Sequence, residues 1–365
     1  MRLLVVNVGS SSLKLSVLEG LTLVASEDLR LEGGRLDEAA VREALERHGP
    51  VDAVGHRIVH GGSEFTDAVL VDEVVRRRLE ALVDLAPLHL PKSLAGLDLV
   101  GRLLPGVPAV ACFDTAFHAT IGPAAATYAL PAEWRRRWSL RRFGFHGLSH
   151  SWAAKRAGEL TGRPAGALRI VSCHLGAGAS LAAIAGGVSV DTTMGFTPLE
   201  GLVMATRSGS VDPGLVLWLE QHVGLPPAEL ASTLEHRSGL LGLTGSGDMQ
   251  AVLEAEASGD ELAGLGIAVY LHRLAASVAA MAAATGGLDV LVFTGGVGEH
   301  AASIRRRAAE RLGFLGVSID AAANETATPD AEITAARAAV RVLVVEARED
   351  LQIAGEVERL LARDG

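Results

Sequence analysis

The sequence predicts an α/β protein built from two similar halves, and three observations carry that expectation. Strand-like and helix-like apolar patterns alternate along all 365 residues, as they do where helices cover sheets. A strand, a small-residue turn and a second strand occur near the start of each half: 3–8, Gly9-Ser10-Ser11-Ser12 and 13–18, then 169–174, Leu175-Gly176-Ala177-Gly178-Ala179 and 180–184. That recurrence reads as a degenerate internal duplication. A third turn, Thr294-Gly295-Gly296-Val297-Gly298-Glu299, leads from a strand at 290–293 into a helix start. Three such turns facing one another across a cleft between two similar domains would cradle a polyphosphate from both sides.

The remaining elements follow in order. The 51–59 strand comes after a helix at 37–48, which Gly49-Pro50 stops. Helices at 72–85 and 91–104 lead to Pro105 and a strand at 107–113. A helix at 149–161 ends before Gly162. Asp212 as N-cap and Pro213 in the first turn open a helix at 212–223. A long apolar helix spans 260–285 and closes on Gly286-Gly287; a strand at 340–346 precedes a last helix at about 350–362.

Bulk properties narrow the functional classes. The length suits two domains, and 49% hydrophobic with 21% charged residues is a globular composition. A net charge of -10, with arginines scattered among acids, argues against nucleic acid or an anionic membrane as main partner. It leaves room for a small anionic ligand. Cys112 and Cys173 each sit in an apolar run and read as buried thiols. The stretch 262–288 is broken by His272, Arg273 and glycines, so a buried helix explains it better than a membrane span. The first residues enter a strand at once without an export signal, and a cytoplasmic protein is expected.

Several residues are candidates for chemistry. The first turn has Asn7 at its entry and Lys14 at its exit, in a chain with three lysines against thirty arginines. Taken alone it is either a phosphate cradle or a hairpin with a polar tip; the recurrence of such turns favours phosphate. Arg57, in His56-Arg57-Ile58-Val59-His60-Gly61-Gly62, and Arg207, in Met204-Ala205-Thr206-Arg207-Ser208-Gly209, have small or glycine neighbours that admit a ligand. A guanidinium grips carboxylate or phosphoryl oxygens bidentately; the plainer reading of each is a surface ion pair. Asp114 ends an apolar strand, where ligands meet open α/β sheets, or it caps a turn. His146 lies between Phe145 and Gly147 just before a helix. Glu349 and Asp350 open the last helix, where they either oppose its dipole or, with Asn7, offer oxygens to magnesium.

These segments in order, with Pro87-Leu88-His89, Phe145 to His150, His174 to Gly178, Met194 to Gly201 and Thr206 to Pro213, resemble the acetate kinase family along nearly the whole chain. The resemblance implies two duplicated actin-like, ribonuclease-H-like domains with an interdomain active-site cleft, residues 1–118 plus 352–365 forming the first and 119–351 the second. It implies reversible phosphoryl transfer between ATP and a short-chain carboxylate, acetate or propionate, with magnesium or manganese, and a homodimer through the second domain. Position by position, Arg57, Asp114, His146 and Arg207 match catalytic residues; Val59, Leu88, Phe145 and Pro198 match acyl-pocket walls. Ser10, Ser12, Lys14, His174, Gly176, Gly178, Gly296 and Gly298 match phosphate-binding positions. Asp248 falls near the adenosine site, and Asn7 and Glu349 match metal-linked positions.

On this reading transfer is in line and direct. A short carboxylate is already ionised and needs no general base; it needs its charge neutralised, and Asp114 orients Arg207 or a magnesium-bound water. The family's Asn, Arg and Asn are replaced by Ala177, Gln250 and His300. Leu90 stands for Asn, Ser210 for Asp, and Ala347-Arg348-Glu349-Asp350 for Thr-Asn-Glu-Glu. Most of these changes lie toward the nucleotide. They leave open a different donor such as pyrophosphate, or a nucleotide- or acyl-phosphate-binding sensor; a sugar kinase lacks a visible polar pocket.

Overall fold

A computed structural model describes residues 1–9, 12–31, 36–87 and 89–364. The chain divides into two compact units: Met1–Ala119 with Phe145–Trp152 and Arg348–Gly365, and Thr120–Gly144 with Ala153–Ala347. The division expected from the sequence differs in two places. Residues 145–152 join the first unit because the Gly147 N–H donates to the Asp114 carbonyl at 2.9 Å, and His118 Nε2 lies 3.0 Å from the Phe145 carbonyl. Residues 348–351 join it because they begin its closing helix, Glu349–Asp364.

The first unit holds β1 (Arg2–Val8), β2 (Ser12–Glu19), β3 (Thr22–Arg30), β4 (Ala53–Ile58), β5 (Val69–Leu70) and β6 (Ala109–Phe113). They form one sheet in the order β3-β2-β1-β4-β6-β5. β1 pairs antiparallel with β2 and parallel with β4; β4 pairs parallel with β6. Leu3, Leu4, Val5 and Val6 are all buried, which is why β1 reads as an unbroken apolar run: both faces of the central strands are covered. Helices Glu38–His48 and Leu90–Leu103 contribute Val41, Ala44, Leu45, Leu99 and Val100 to one core. The helix Glu349–Asp364 packs on β4, where Gly55 lets Ile353 and Val357 approach the strand backbone.

The second unit repeats the arrangement with β7 (Arg169–Leu175), β8 (Ala179–Ala185), β9 (Val188–Thr192), β10 (Val290–Thr294), β11 (Ala331–Glu332) and β12 (Arg341–Val344). Its order is β11-β12-β10-β7-β8-β9, so β7, β8, β9, β10, β11 and β12 occupy the places of β1, β2, β3, β4, β5 and β6. The pairing directions match strand for strand. The expected duplication is therefore present as identical topology. The helix Glu261–Ala284 is long and apolar enough to cross a membrane by length and composition. Its Ile267, Tyr270, Leu271, Leu274 and Val278 are nevertheless buried at helical spacing, against neighbouring helices and β7 and β8. One face of the helix is therefore packed into the unit, while Leu262 and Leu265 are exposed.

Two expected helices are interrupted. The one at 72–85 is a helix Glu73–Glu80 and a separate 3-10 turn Val83–Leu85; the one at 212–223 is Pro213–Trp218 running into a π turn Leu219–Val223.

The tight contact at Gly55 sets a stability test. A β-carbon there would lie 2.5 Å from Ile353 Cγ2, so Gly55→Val should lower the unfolding free energy by about 1–3 kcal/mol through overpacking. A fall in the urea midpoint measures it, and an unchanged midpoint would mean the helix shifts at no cost.

Candidate active site

The C-terminal ends of β1, β4 and β6 bring three of the candidate residues together with the start of the last helix. Arg57, on β4, donates from Nε to Asp114 Oδ1 at 3.0 Å and from Nη2 to Asp114 Oδ2 at 2.6 Å. Its Nη1 donates to Asn7 Oδ1 at 3.1 Å. Glu349 Oε2 lies 3.5 Å from Arg57 Nε and accepts from Asn7 Nδ2 at 3.4 Å. Asp114 is 1% exposed. Such a carboxylate must be paired, and the planar guanidinium meets it with two parallel bonds. Asp114 thus orients Arg57, a partner not anticipated by the expectation that it orients Arg207 or a magnesium-bound water; the pairing depends on adjacent strand ends, which sequence spacing does not reveal.

Charge and burial compete at this cluster. Burial alone would lower the Arg57 pKa, but Asp114 and Glu349 overcome it and hold the guanidinium more firmly protonated than usual. Burial pushes the Glu349 carboxyl up; Arg57 opposes, Asp114 and Asp350 add to the rise, and Lys14 opposes. Burial also lowers His56, His60 and His118 to about 4, so all three are neutral near pH 7.

His146 belongs to the same unit. Its backbone is left-handed, φ 56°, uncommon for a residue with a β-carbon. The turn is locked because Gly147 presses on Asp114: a β-carbon on Gly147 would lie 2.2 Å from the Asp114 carbonyl oxygen. Asp114 therefore fixes Arg57 through its side chain and the His146 turn through its backbone. Phe145 is buried with its ring edge-on to His60, centroids 5.4 Å apart, and half-buried Val59 follows β4 directly. Lys14, on β2, is exposed and paired in register with Asn7. The Ser12 carbonyl accepts from Gly9 N–H at 2.8 Å and closes the first turn. Ser10 and Leu88 lie outside the described residues.

The second unit carries the other candidates. Arg207 is half-buried in a loop and donates from Nη1 to the Pro198 carbonyl at 2.7 Å. Among the described residues no carboxylate lies within ion-pair distance of it, and burial lowers its pKa with only partial relief from Glu235. Pro198 sits in a segment held by side chains that sequence reasoning missed. Tyr128 Oη donates to Glu200 Oε2 at 2.6 Å and accepts from Phe196 N–H at 2.8 Å. Arg142 donates to Glu200 Oε1 at 2.7 Å and to the Thr192, Thr193 and Met194 carbonyls.

His174 ends β7 half-buried, and the turn after it closes through Gly176 N–H to the Gly178 carbonyl at 3.0 Å. Gly176 and Gly296 line one cavity of about 580 Å³ together with Asp248, Met249, Leu253 and Tyr270. Gly178 lies in the turn, and Gly298 is buried in the helix Gly295–His300 against Phe293 and Cys173. Asp248 caps the helix Met249–Ala257 by accepting from Gln250 and Ala251 N–H. Glu299, quoted in the sequence only as part of its turn, is a structural latch. Its Oε1 accepts from Gly295 N–H at 2.8 Å and from Ala347 N–H at 3.0 Å. Buried Arg305 donates to the Gly298 and Glu299 carbonyls.

A cavity between Gly-rich turns, and a guanidinium forked onto a carboxylate at strand ends, are the layout of a phosphotransferase, and comparison with known proteins agrees. The acetokinase family matches residues 34–355. The chain is 42% identical over 402 residues to an acetate kinase of Thermotoga maritima, with both chains covered completely. This chain belongs to the acetokinase family. Its fold is similar to the crystal structure of Porphyromonas gingivalis acetate kinase, with a TM-score of 0.91 at 36% identity over 99% of each chain. A propionate kinase from Francisella tularensis also gives 0.91, at 34% identity, over 97% of this chain and 98% of that one. The architecture is thus the actin-like, sugar-kinase-like one.

The departures from the family pattern now have places. Ala177, Gln250 and His300 all line the cavity, and Gln250 Nε2 donates to Glu254 at 3.0 Å. Leu90 is in an apolar cluster with Ile58 and Phe113. Ser210 Oγ accepts from Gly201 N–H, and Arg348 forks onto Asp350 at 3.0 Å.

The raised Glu349 pKa gives a pH test. The folded chain holds that proton more tightly than the unfolded one, so its contribution to stability falls as pH rises from the ordinary carboxylate range through the raised value. Glu349→Gln should remove that decline and raise the Tm of the ligand-free protein at pH 8 by ~2 °C. Calorimetry at pH 5 and 8 checks it; an unaltered slope in the variant would assign the titration elsewhere.

Proposed function

We propose that this chain transfers a phosphoryl group reversibly between ATP and a short-chain carboxylate, giving an acyl phosphate and ADP. The observation that carries the reading is the Arg57–Asp114 fork at the sheet edge of the first unit. Asp114 takes two of the Arg57 N–H groups and Asn7 a third; one N–H on each terminal nitrogen remains for a ligand. A carboxylate substrate is anionic at neutral pH, so no residue need deprotonate it. The obstacle is its approach to an anionic phosphoryl group, and fixed positive charge lowers that barrier without reorganising. Arg57 is assigned to the carboxylate and the transferring group. Arg207, desolvated and without a carboxylate partner among the described residues, is assigned to the phosphoryl oxygens. His146, fixed by its locked turn, is assigned as a hydrogen-bond donor to the transferring group. Val59, Phe145, Leu88 and Pro198 are assigned to the acyl pocket.

The cavity in the second unit supports a nucleotide donor over pyrophosphate. Its size is within the usual range of small-molecule sites, and apolar Leu240, Met249 and Leu253 in its wall suit a nucleoside, which pyrophosphate lacks. The replacements at Ala177, Gln250 and His300 reshape this wall and do not close it. Intact Arg57, Asp114, His146 and Arg207 favour an enzyme over a sensor. Ser10, Ser12, Lys14, His174, Gly176, Gly178, Gly296 and Gly298 are assigned to phosphates and Asp248 to the adenosine.

Glu349 offers a divalent cation one hard oxygen ligand, a half-buried carboxylate whose charge Arg57 only partly offsets; Asn7 Oδ1, the second expected ligand, accepts from Arg57 Nη1 and would have to exchange that bond for the ion. Magnesium or manganese commonly takes one or two protein oxygens beside nucleotide phosphates. Bound there, the ion would supply charge neutralisation to those phosphates.

A second copy of this chain is the proposed partner. The helix Pro213–Trp218 buries none of its side chains, and Leu215, Leu217 and Trp218 with nearby Val223 are each about half exposed. Leu262 and Leu265 on the long helix are exposed too. Apolar surface of this kind marks an interface, which fits the expected homodimer. Work on ATP and free carboxylates suits a cytoplasmic location.

Two tests follow. With folded proteins and acetate as acceptor, Arg57→Ala and Arg207→Ala should each lower kcat by about 10²–10³-fold; near-normal turnover in either would refute that assignment. Light scattering coupled to gel filtration should give a dimer for the native chain and a monomer for a Leu215→Glu, Trp218→Glu double variant. A native monomer would sink the dimer proposal.

A further inference from the structure

Arg207 lies in the stretch 193–212, which has no regular secondary structure between β9 and the helix Pro213–Trp218. A stretch that long inside a compact unit takes its shape from specific contacts, not from a helix or a strand ladder. One tie to the guanidinium is the Pro198 carbonyl, which accepts from Arg207 Nη1 at 2.7 Å. Two residues on, Glu200 has both carboxylate oxygens occupied. Its Oε1 accepts from Arg142 Nη2 at 2.7 Å and its Oε2 from Tyr128 Oη at 2.6 Å. Both partners also hold the backbone that leads to Pro198. Tyr128 Oη accepts from the Phe196 N–H, and Arg142 Nη1 donates to the Thr192, Thr193 and Met194 carbonyls. Gly195 completes the joint. Its carbonyl accepts from the Phe143 N–H at 3.0 Å, and a β-carbon there would collide with Glu200 Oε2 and Tyr128 Oη.

We propose that Glu200, clamped between Tyr128 and Arg142, is a positioning residue that sets where Arg207 presents its guanidinium. This rests on the assignment of Arg207 to the phosphoryl oxygens and deepens it. The clamp acts in two ways. It fixes the Pro198 carbonyl, and with it the direction of Arg207 Nη1, before any substrate arrives. It also keeps Glu200, the one acidic residue between Thr193 and Val211, paired with Arg142 and not with Arg207. An ion pair to Arg207 would satisfy in the resting protein the charge reserved for the transferring group. Bonds to an ionised carboxylate are short and strong, which suits a brace. Burial, with Glu200 adding to it, holds the Tyr128 phenol protonated above the usual tyrosine range, so its hydroxyl donates throughout the working pH range.

Tyr128→Phe removes one jaw of the clamp and keeps the ring that Arg142 lies against. Turnover is normalised to the ATP-binding stoichiometry from titration calorimetry, so unfolded chains do not count as slow ones. On that basis kcat with acetate should fall about 10-fold, the scale of a misplaced positioning group. The KM for ATP should stay within about twofold of the native value. Glu200→Gln, which keeps the side chain's shape and one accepting oxygen, should lose less than Glu200→Ala. The deciding measurement is a double-mutant cycle with Arg207→Ala. In that background Tyr128→Phe should lower kcat by less than about twofold, because the group it positions is gone. An equal loss in both backgrounds would overturn the proposal, since the clamp would then serve the fold or another group. A native kcat in Tyr128→Phe would overturn it as well. Slow Arg207→Ala with an indifferent Tyr128→Phe defeats this inference alone, whereas near-native turnover in Arg207→Ala defeats the assignment beneath it.

Discussion

The buried pairing of Arg57 with Asp114 is the constraint on which the rest of the site depends. Asp114 is almost wholly removed from water at the end of a central strand, and an isolated carboxylate there would be strongly unfavourable. The bidentate fork resolves this, and at the same time fixes a guanidinium whose remaining donors are proposed to serve a ligand. The Asp114 carbonyl anchors the Gly147 N–H, so the left-handed turn carrying His146 is positioned by the same residue. Asn7 and Glu349 gather on Arg57 from β1 and the last helix. One aspartate thus transmits the geometry of three parallel strand ends to Arg57, to the Asn7 and Glu349 side chains gathered on it, and to the His146 turn.

The two units show how one topology acquires two chemistries. Their sheets share strand order and pairing directions, and in each the residues of interest cluster where the central parallel strands end. In the first unit those ends carry Asn7, Arg57 and Asp114. In the second, the turns after β7 and β10 are glycine-rich, and helices Met249–Ala257 and Glu261–Ala284 add an apolar wall. Glycine lets backbone N–H groups approach an anion, whereas charged side chains discriminate among anions. Duplication fixed the scaffold, and the side chains at equivalent strand ends divided the work.

Much of this was legible in the sequence, for identifiable reasons. β1, β7 and β10 stand out because strands covered on both faces are uninterrupted apolar runs. β3 does not, because it is half-exposed and its Glu27, Asp28 and Arg30 mask the alternation; β5 and β11 are two residues each. Arg57, Asp114 and His146 were recognisable from glycine and aromatic neighbours at element ends, but the partner of Asp114 was not. Which side chains meet depends on strand order, and β4 lies beside β6 across fifty intervening residues. Glu299, Arg305 and the Tyr128–Glu200–Arg142 network escaped for a related reason. Their partners are largely backbone groups brought close by the fold, and a backbone carbonyl or N–H carries no sequence signal.

Each unit also holds a half-buried candidate charge that its own side chains do not fully balance. In the first it is negative: burial raises the Glu349 pKa, Asp114 and Asp350 add to the rise, and Arg57, itself forked onto Asp114, and Lys14 only partly oppose it. In the second it is positive: Arg207 is desolvated, holds a backbone carbonyl, and its pKa falls. Both imbalances weigh against the ligand-free fold. They persist because interactions completed only when charged ligands arrive can favour the transition state, whereas charges already satisfied by the protein cannot. A version of this chain with Glu349 neutralised and Arg207 paired to an added carboxylate would be a more comfortable protein and a poorer catalyst. On the proposed assignment, the imbalance in the resting electrostatics of each unit is what a charged substrate would relieve.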